Sequence, residues 1–338
     1  MASLRSQTPR SSDASTTTRE RKRIVVIGGG TGSYNVLSGL KTFPFSLTAV
    51  VAMTDSGGSS GRLRDEFGHL PPGDLRQVLL ALSPDDHAGL LLRQLFNYRF
   101  DKGAGLGGHS FGNLFLTALT EVTGSIETAI HEMGRLLGIK GRVLPVTLTN
   151  SNLTARLRNG KIVKGEANID HREVDPQVPI DYVYLEPAAF VYQETAQAIE
   201  EADALVIGPG DLYSSIVPNL LVKGVCDAIL RCKGKRIYVC NLMTKPGESD
   251  GFKASDFIRE IHTYLESKSI LQYAIVNTGE LPTNVVERYH LEGAVPVVFD
   301  EEACRDLVPN VIAKPLVSVG NLVRHDPLRL AEAIDELL

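Results

Sequence analysis

Hydrophobic residues first gather at Ile24-Val25-Val26-Ile27, a β-branched run with no polar alternation. A strand of that kind is buried on both faces, as in the interior of a parallel sheet. Glycines follow at once in Gly28-Gly29-Gly30-Thr31-Gly32, and a predicted helix over 33–41 leads to a second apolar run at 47–53 that ends in another glycine-rich segment. Strand, loop and helix in that alternation imply right-handed crossovers and a parallel sheet. From Asp74 to about Leu137 the spacing turns mostly helical, with Leu75, Val78, Leu79 and Leu82 in phase and a further apolar cluster at 90–95, so helices are expected to cover the sheet.

Between 142 and 186 the apolar pieces shorten. Asn159-Gly160 separates runs at 153–158 and 162–165, which reads as a hairpin within a small β-rich insertion. Parallel character resumes at Ala204-Leu205-Val206-Ile207, followed by Gly208-Pro209-Gly210 and a predicted helix over 219–231. Further strands are expected at 236–240, 273–276 and 295–299, with a last helix at 327–338. Residues 1–23, rich in Ser, Thr and Arg, offer too little apolar surface to offset the entropy of ordering and read as a loose tail, with a transit peptide as the alternative. Residues 24–338 are predicted to form one α/β domain: Rossmann-like and doubly wound, with a mainly parallel sheet and helices on both faces.

Composition narrows the partners. The chain has 338 residues, 43% of them hydrophobic, which is ample for a core, and a formal charge of -5. That charge argues against binding a nucleic-acid backbone, while a local basic pocket for a small anion stays compatible with it. Cys226, Cys232, Cys240 and Cys304 have neither disulfide-scaffold nor zinc spacing, so reduced thiols are expected and no residues are assigned to a metal. No apolar run reaches the ~18 residues of a membrane span and the N-terminus lacks a secretory apolar core, so a cytoplasmic protein without membrane insertion is expected.

Candidate chemistry sits where strands end. Gly28-Gly29-Gly30-Thr31-Gly32 lies between a buried strand and a helix, where glycines let backbone N–H groups approach phosphate oxygens and the helix N-terminus adds positive partial charge. Gly28 and Gly30 fit the start of a dinucleotide fingerprint, but Ser33 stands at its last glycine position. Asp55 after the second strand has the spacing of a ribose-binding acid, yet it opens Ser56-Gly57-Gly58-Ser59-Ser60-Gly61, a second flexible loop followed by Arg62 and Arg64. Those arginines suit a phosphate or carboxylate, or else pair with Asp65 and Glu66 on a solvated face. Two such loops at neighbouring strand ends suggest an extended anionic ligand. Each taken alone is explained by a tight turn.

Asp74, after Pro71-Pro72-Gly73, is expected to cap the following helix, with a metal or substrate role as the lesser reading. Gly107-Gly108-His109-Ser110-Phe111-Gly112-Asn113 opens a helix at 114–121, where His109 and Asn113 are candidates for ligand hydroxyls; packing or capping is the default for His109. Gly208-Pro209-Gly210-Asp211-Leu212-Tyr213-Ser214-Ser215 offers amides and hydroxyls to a phosphate or sugar, and Asn241, Thr244 and Lys245 follow the next strand. Ligands of open parallel sheets bind at such carboxyl ends.

Taken together, IGGGTG at 27–32, DSGGSSGRLRDEFG at 55–68, PPGDLRQVL at 71–79, GHSFGNLFL at 108–116, IGPGDLYSSIVPNLLV at 207–222 and CNLMTKPGE at 240–248 resemble the family that joins the YvcK-type gluconeogenesis factors to the 2-phospho-L-lactate transferases of deazaflavin cofactor synthesis. The resemblance runs from about Arg23 to the C-terminus, and GGSSGRLR and GHSFGNL are similar to the gluconeogenesis-factor branch. It implies a nucleotide-sugar ligand such as UDP-N-acetylglucosamine and support of growth and cell shape on gluconeogenic carbon. It also implies Thr31 at the phosphates, Asn219 lining the site, and Tyr289 and Arg324 as late contacts; without it, Tyr289 reads as half-buried at a helix end and Arg324 as the partner of Asp326. Where the branch commonly has two adjacent acids, this chain has Asp55-Ser56.

Three functions compete at this stage. In the first, a noncatalytic regulator binds a UDP-sugar and needs no firm cofactor; it is expected to work as a homo-oligomer. Its ligand contacts are expected among Gly29, Gly30, Thr31, Gly32, Asp55, Gly57, Gly58, Ser59, Arg62, His109, Asn113, Gly208, Gly210, Asp211, Ser214, Asn219, Asn241, Thr244, Tyr289 and Arg324. In the second, a Mg²⁺-assisted transferase moves a phosphate-bearing group from a nucleotide-activated donor to a deazaflavin hydroxyl, with Asp55 catalytic. The third, an NAD-dependent enzyme, leaves the later glycine loops unexplained.

Overall fold

The computed structural model describes residues 21–338 apart from 104, 268 and 321; the predicted tail lies almost wholly outside the described residues. Seven parallel strands form the central sheet: β1 (Arg23–Gly28), β2 (Ser46–Val51), β3 (Arg142–Pro145), β7 (Ala204–Ile207), β8 (Lys235–Val239), β9 (Tyr273–Asn277) and β10 (Asn310–Lys314). Three others, β4 (Asn152–Leu157), β5 (Ile162–Lys164) and β6 (Ile180–Glu186), make an antiparallel sheet, and β11 (Val317–Val319) and β12 (Val323–His325) a hairpin.

The central order is β10-β9-β8-β7-β1-β2-β3, every neighbour parallel, with helices flanking the sheet. Ile24, Val25, Val26 and Ile27 face Ala204, Leu205, Val206 and Ile207 across the β1–β7 pairing, and all eight are buried. That is why neither run alternates with polar residues: both faces are covered. Arg142–Pro145, at the start of the segment expected as an insertion, is the edge strand of the central sheet, and the hairpin around Asn159-Gly160 is present as β4 and β5.

Several boundaries differ from the sequence expectation. The first helix is Gly30–Leu40, so two glycines occupy its opening turn although glycine is a poor helix former. Packing overrides propensity there: a Cβ on Gly32 would collide with the Pro209 carbonyl. The helix expected over 219–231 is two short pieces, Val217–Leu220 and Val225–Arg231, interrupted before Gly224 with φ +96, and a further helical turn, Leu212–Ile216, precedes them. No strand forms at 295–299: among the described residues the run pairs with 242–244 through the single bridge Met243↔Pro296, and Val298 then turns to accept the Ala254 N–H. Asn310–Lys314, too polar on one side to read as a core strand, takes the sheet edge instead.

Candidate functional site

From β1 the chain proceeds to β2 and β3 on one side; from β7 it proceeds to β8, β9 and β10 on the other. Neighbouring connections therefore leave β1 and β7 in opposite directions and open a crevice at their carboxyl ends, where such sheets bind ligands. Both glycine turns lie there. Asn219, fully buried, ties them from within: its amide donates to the Ser215 carbonyl at 2.9 Å and to the Gly28 carbonyl at 3.4 Å. Gly29, Gly30, Thr31, Gly32, Gly210, Asp211, Asn241 and Arg324 line one cavity of about 190 Å³ in this crevice. Gly208, with φ +76, shapes the turn without lining the cavity.

Arg324 is half-buried and has no carboxylate within ion-pair distance among the described residues. Asp326 is engaged otherwise: it caps the helix Pro327–Asp335 by accepting from Leu328 and Arg329 amides. Tyr289 is outside the cavity, and its hydroxyl accepts the Val323 N–H at 2.9 Å, so it supports the strand that carries Arg324. Thr244 is part of the framework as well, buried and exchanging hydrogen bonds with Val295.

A wall of carboxylates borders the first glycine turn. Asp74 does not cap its helix; Pro72 holds that position, and Asp74 sits in the first turn of Gly73–Leu82 with its side chain against Gly29 and the Gly30 amide. Burial and then the charge of Asp55 push its pKa to about 7, against the pull of the Gly30 amide and Arg76. Glu166, from the short helix Glu166–Asp170 after β5, accepts from the Ser56 amide at 3.4 Å, and burial followed by Asp55 and Asp74 raises it to about 8. Asp211 is pushed upward by burial and then by the charges of Glu248 and Asp74, and it pairs with Lys245 at 2.6 Å. Lys245 also contacts Asp170 and lies 3.4 Å from Glu248, and Ser214 donates to Glu248 at 3.1 Å, facing this ion cluster.

The second glycine loop forms the neighbouring wall. Asp55 accepts the Gly57 amide at 2.9 Å, Gly58 has φ +43, and a Cβ on Gly73 would strike both Asp55 and Ser60. Ser59 meets His109 Nδ1 at 2.9 Å, and the Asn113 amide donates to Ser59 and Ser60. His109 is buried and its pKa is lowered, by burial first and by Arg62 next. Arg62 is exposed and donates to the Gly107 carbonyl at 2.9 Å, pinning the loop before His109. The electrostatic contact of Asp55 with Asp74 joins this group to the crevice; none of its members lines the 190 Å³ cavity.

Sequence reading missed Glu166, Asn35 and His325. Glu166 reaches the site from a distant segment through the pairing of Ser56 with Ala167, for which no local pattern exists. Among the described residues no three His, Cys, Asp or Glu side chains are gathered to hold a metal ion, and no helix is long and apolar enough to cross a membrane. A larger cavity of about 700 Å³ borders β3 and the helix Ile126–Leu137. It lies away from the carboxyl ends of β1 and β7 and contains neither glycine turn.

Comparison with known proteins bears on the fold and the family. Residues 24–317 match the family described as 2-phospho-L-lactate transferase CofD. The gluconeogenesis factor of Bacillus subtilis is 38% identical over 321 residues, covering 94% of this chain and 99% of its own. That of Halalkalibacterium halodurans is 41% identical over 319 residues, covering 94% and 97%. A crystal structure of a UPF0052 family member from Bacillus halodurans superposes with a TM-score of 0.87 at 41% identity, covering 94% of this chain and 99% of that one. The chain therefore belongs to the 2-phospho-L-lactate transferase CofD family, with the gluconeogenesis factors among its relatives.

Proposed function

We propose that this protein binds a nucleotide-sugar, UDP-N-acetylglucosamine or a similar one, in the crevice between β1 and β7, and acts as a noncatalytic cytoplasmic regulator supporting growth and cell shape on gluconeogenic carbon. The relatives named gluconeogenesis factor supply the physiological setting. One observation carries the ligand class: two glycine turns, the first running into a helix N-terminus, share a cavity with an arginine that has no acid partner among the described residues. Backbone amides and a guanidinium are what a diphosphate requires. A second cavity of about 350 Å³ shares Asn35, Arg324 and His325 with the first, giving a nucleoside room beside the diphosphate.

The acidic wall does not forbid an anion. Near neutral pH Asp74 and Glu166 still hold protons for part of the time, which lessens repulsion. Mg²⁺, which commonly uses one or two carboxylates together with waters and phosphate oxygens, would be held by Asp74 beside the first glycine turn and would neutralise phosphate charge.

Calorimetry tests the reading with UDP-sugars, GDP, NAD and a deazaflavin, each with and without Mg²⁺. UDP-sugars are expected to bind without turnover, and Arg324→Ala to weaken them about 10- to 100-fold, the worth of a charge-assisted hydrogen bond. Absence of UDP-sugar binding to the intact protein overturns it. The geometry of Asp55, fixed by the Gly57 amide beside Ser60, keeps a transferase as the second reading. That reading requires product from a phospholactate-type nucleotide donor and a deazaflavin acceptor in the presence of Mg²⁺, and fails if none forms.

A further inference from the structure

Two residues that line the cavity carry buried acceptor atoms without a described partner. The side-chain amide of Asn241 donates to the Gly210 carbonyl at 2.8 Å, which fixes the orientation of the group, and its Oδ1 is enclosed without a hydrogen-bond partner among the described residues. His325 is 5% exposed, and its Nε2 is likewise enclosed and unpartnered. The backbone of Cys240 is the ring's polar neighbour, and with Nε2 unpartnered it faces Nδ1. The Cys240 N–H already donates to Ile275, so the carbonyl is the group left to receive the ring N–H. The proton therefore sits on Nδ1, and Nε2 presents a bare lone pair. Burial lowers the His325 pKa to about 4, which keeps the ring neutral.

A buried acceptor without a donor costs free energy, so a ligand that supplies the donor gains from it. Position narrows which part of a ligand that is. His325 lines both the cavity with the glycine turns and the adjoining one, and Asn241 lines the first. A diphosphate on the amides and Arg324 brings the group attached to it to that junction. Phosphate oxygens are acceptors and cannot satisfy either atom; hydroxyls can.

We infer that Asn241 Oδ1 and His325 Nε2 form an acceptor pair that recognises hydroxyl groups next to the ligand's diphosphate, so that the site selects a hydroxylated sugar and not merely an anion. The inference rests on the nucleotide-sugar reading above. The hydroxyls belong either to the ribose or to the transferred sugar, and the ligands of the test separate the two.

Calorimetry compares UDP-N-acetylglucosamine, UDP, 2′-deoxy-UDP, 3′-deoxy-UDP and inorganic pyrophosphate on the intact protein and on His325→Phe, His325→Gln and Asn241→Leu, with melting temperatures as the check on folding. His325→Phe is expected to weaken UDP-N-acetylglucosamine about tenfold, the net worth of one hydrogen bond, and to leave pyrophosphate unchanged. His325→Gln, which restores an acceptor near the Nε2 position, is expected to recover most of the loss. If the ribose is read, UDP weakens equally and one of the deoxy ligands shows no further loss on the variant; if the other sugar is read, only UDP-N-acetylglucosamine weakens. Equal affinity of His325→Phe and Asn241→Leu for every ligand overturns the acceptor pair while leaving nucleotide-sugar binding intact. Failure of the intact protein to bind any uridine nucleotide overturns both.

Discussion

Replacing Asp74 with asparagine should stabilise the ligand-free protein at pH 8 and leave it nearly unchanged at pH 4. Folding raises the pKa of this carboxyl from 3.8 to about 7, chiefly by burial and next by the charge of Asp55. The folded chain thus holds a proton that the unfolded chain releases between those values, and stability falls as pH rises from about 4 through about 7. A shift of that size corresponds to a ceiling of about 4 kcal/mol at 1.36 kcal/mol per unit. Partial solvent access beside the crevice reduces the expected effect to about 2 kcal/mol. Glu166 acts with the same sign and extends the loss to about pH 8. His325, depressed to about 4, acts oppositely, its contribution being lost as pH falls below the ordinary histidine value. Subtracting variant from parent cancels such shared contributions, apart from those coupled to Asp74 itself. Urea unfolding of both proteins at steps between pH 4 and 8 gives the difference. A difference that does not grow with pH, or a variant less stable than its parent at pH 8, refutes the reasoning.

Gly32→Ala should cost about 1–3 kcal/mol, because its methyl group meets the Pro209 carbonyl, and should abolish nucleotide binding by parting the two turns; urea unfolding and calorimetry read each effect. Lys245→Met leaves Asp170, Asp211 and Glu248 facing one another and should cost about 2 kcal/mol at pH 8, with a smaller loss at pH 5, measured as a drop in the denaturation midpoint. Tyr289→Phe removes only the acceptor of the Val323 N–H, so nucleotide affinity should fall about threefold to tenfold with little change in melting temperature. A loss of melting temperature without a loss of affinity would assign Tyr289 to stability alone.

The unalternating runs at 24–27 and 204–207 made the central strands readable, because burial on both faces removes every polar position. The glycine turns were readable for a related reason: only glycine tolerates the approach of Gly32 to the Pro209 carbonyl. The strand at 310–314 escapes because an edge strand keeps polar residues, and the apolar run at 295–299 misleads because its pairing with 242–244 stops at the single bridge Met243↔Pro296. Ser59, His109 and Asn113, expected at the ligand, are joined through hydrogen bonds at Ser59, a pairing of distant segments that spacing does not encode. Glu166 left no trace in its own segment. Its chemistry comes from burial against Asp55 and Asp74, which the chain order keeps far apart.

Hydrogen–deuterium exchange of the intact protein with saturating UDP-N-acetylglucosamine tests the central claim most directly. Slower exchange is predicted for peptides containing Gly29–Gly32, Gly210–Ser215, Asn241–Met243 and Val323–His325 together, the four segments that converge on one cavity. Protection centred instead on Ser125–Leu144, around the larger cavity beside β3, would contradict the assignment of the crevice between β1 and β7 as the ligand site.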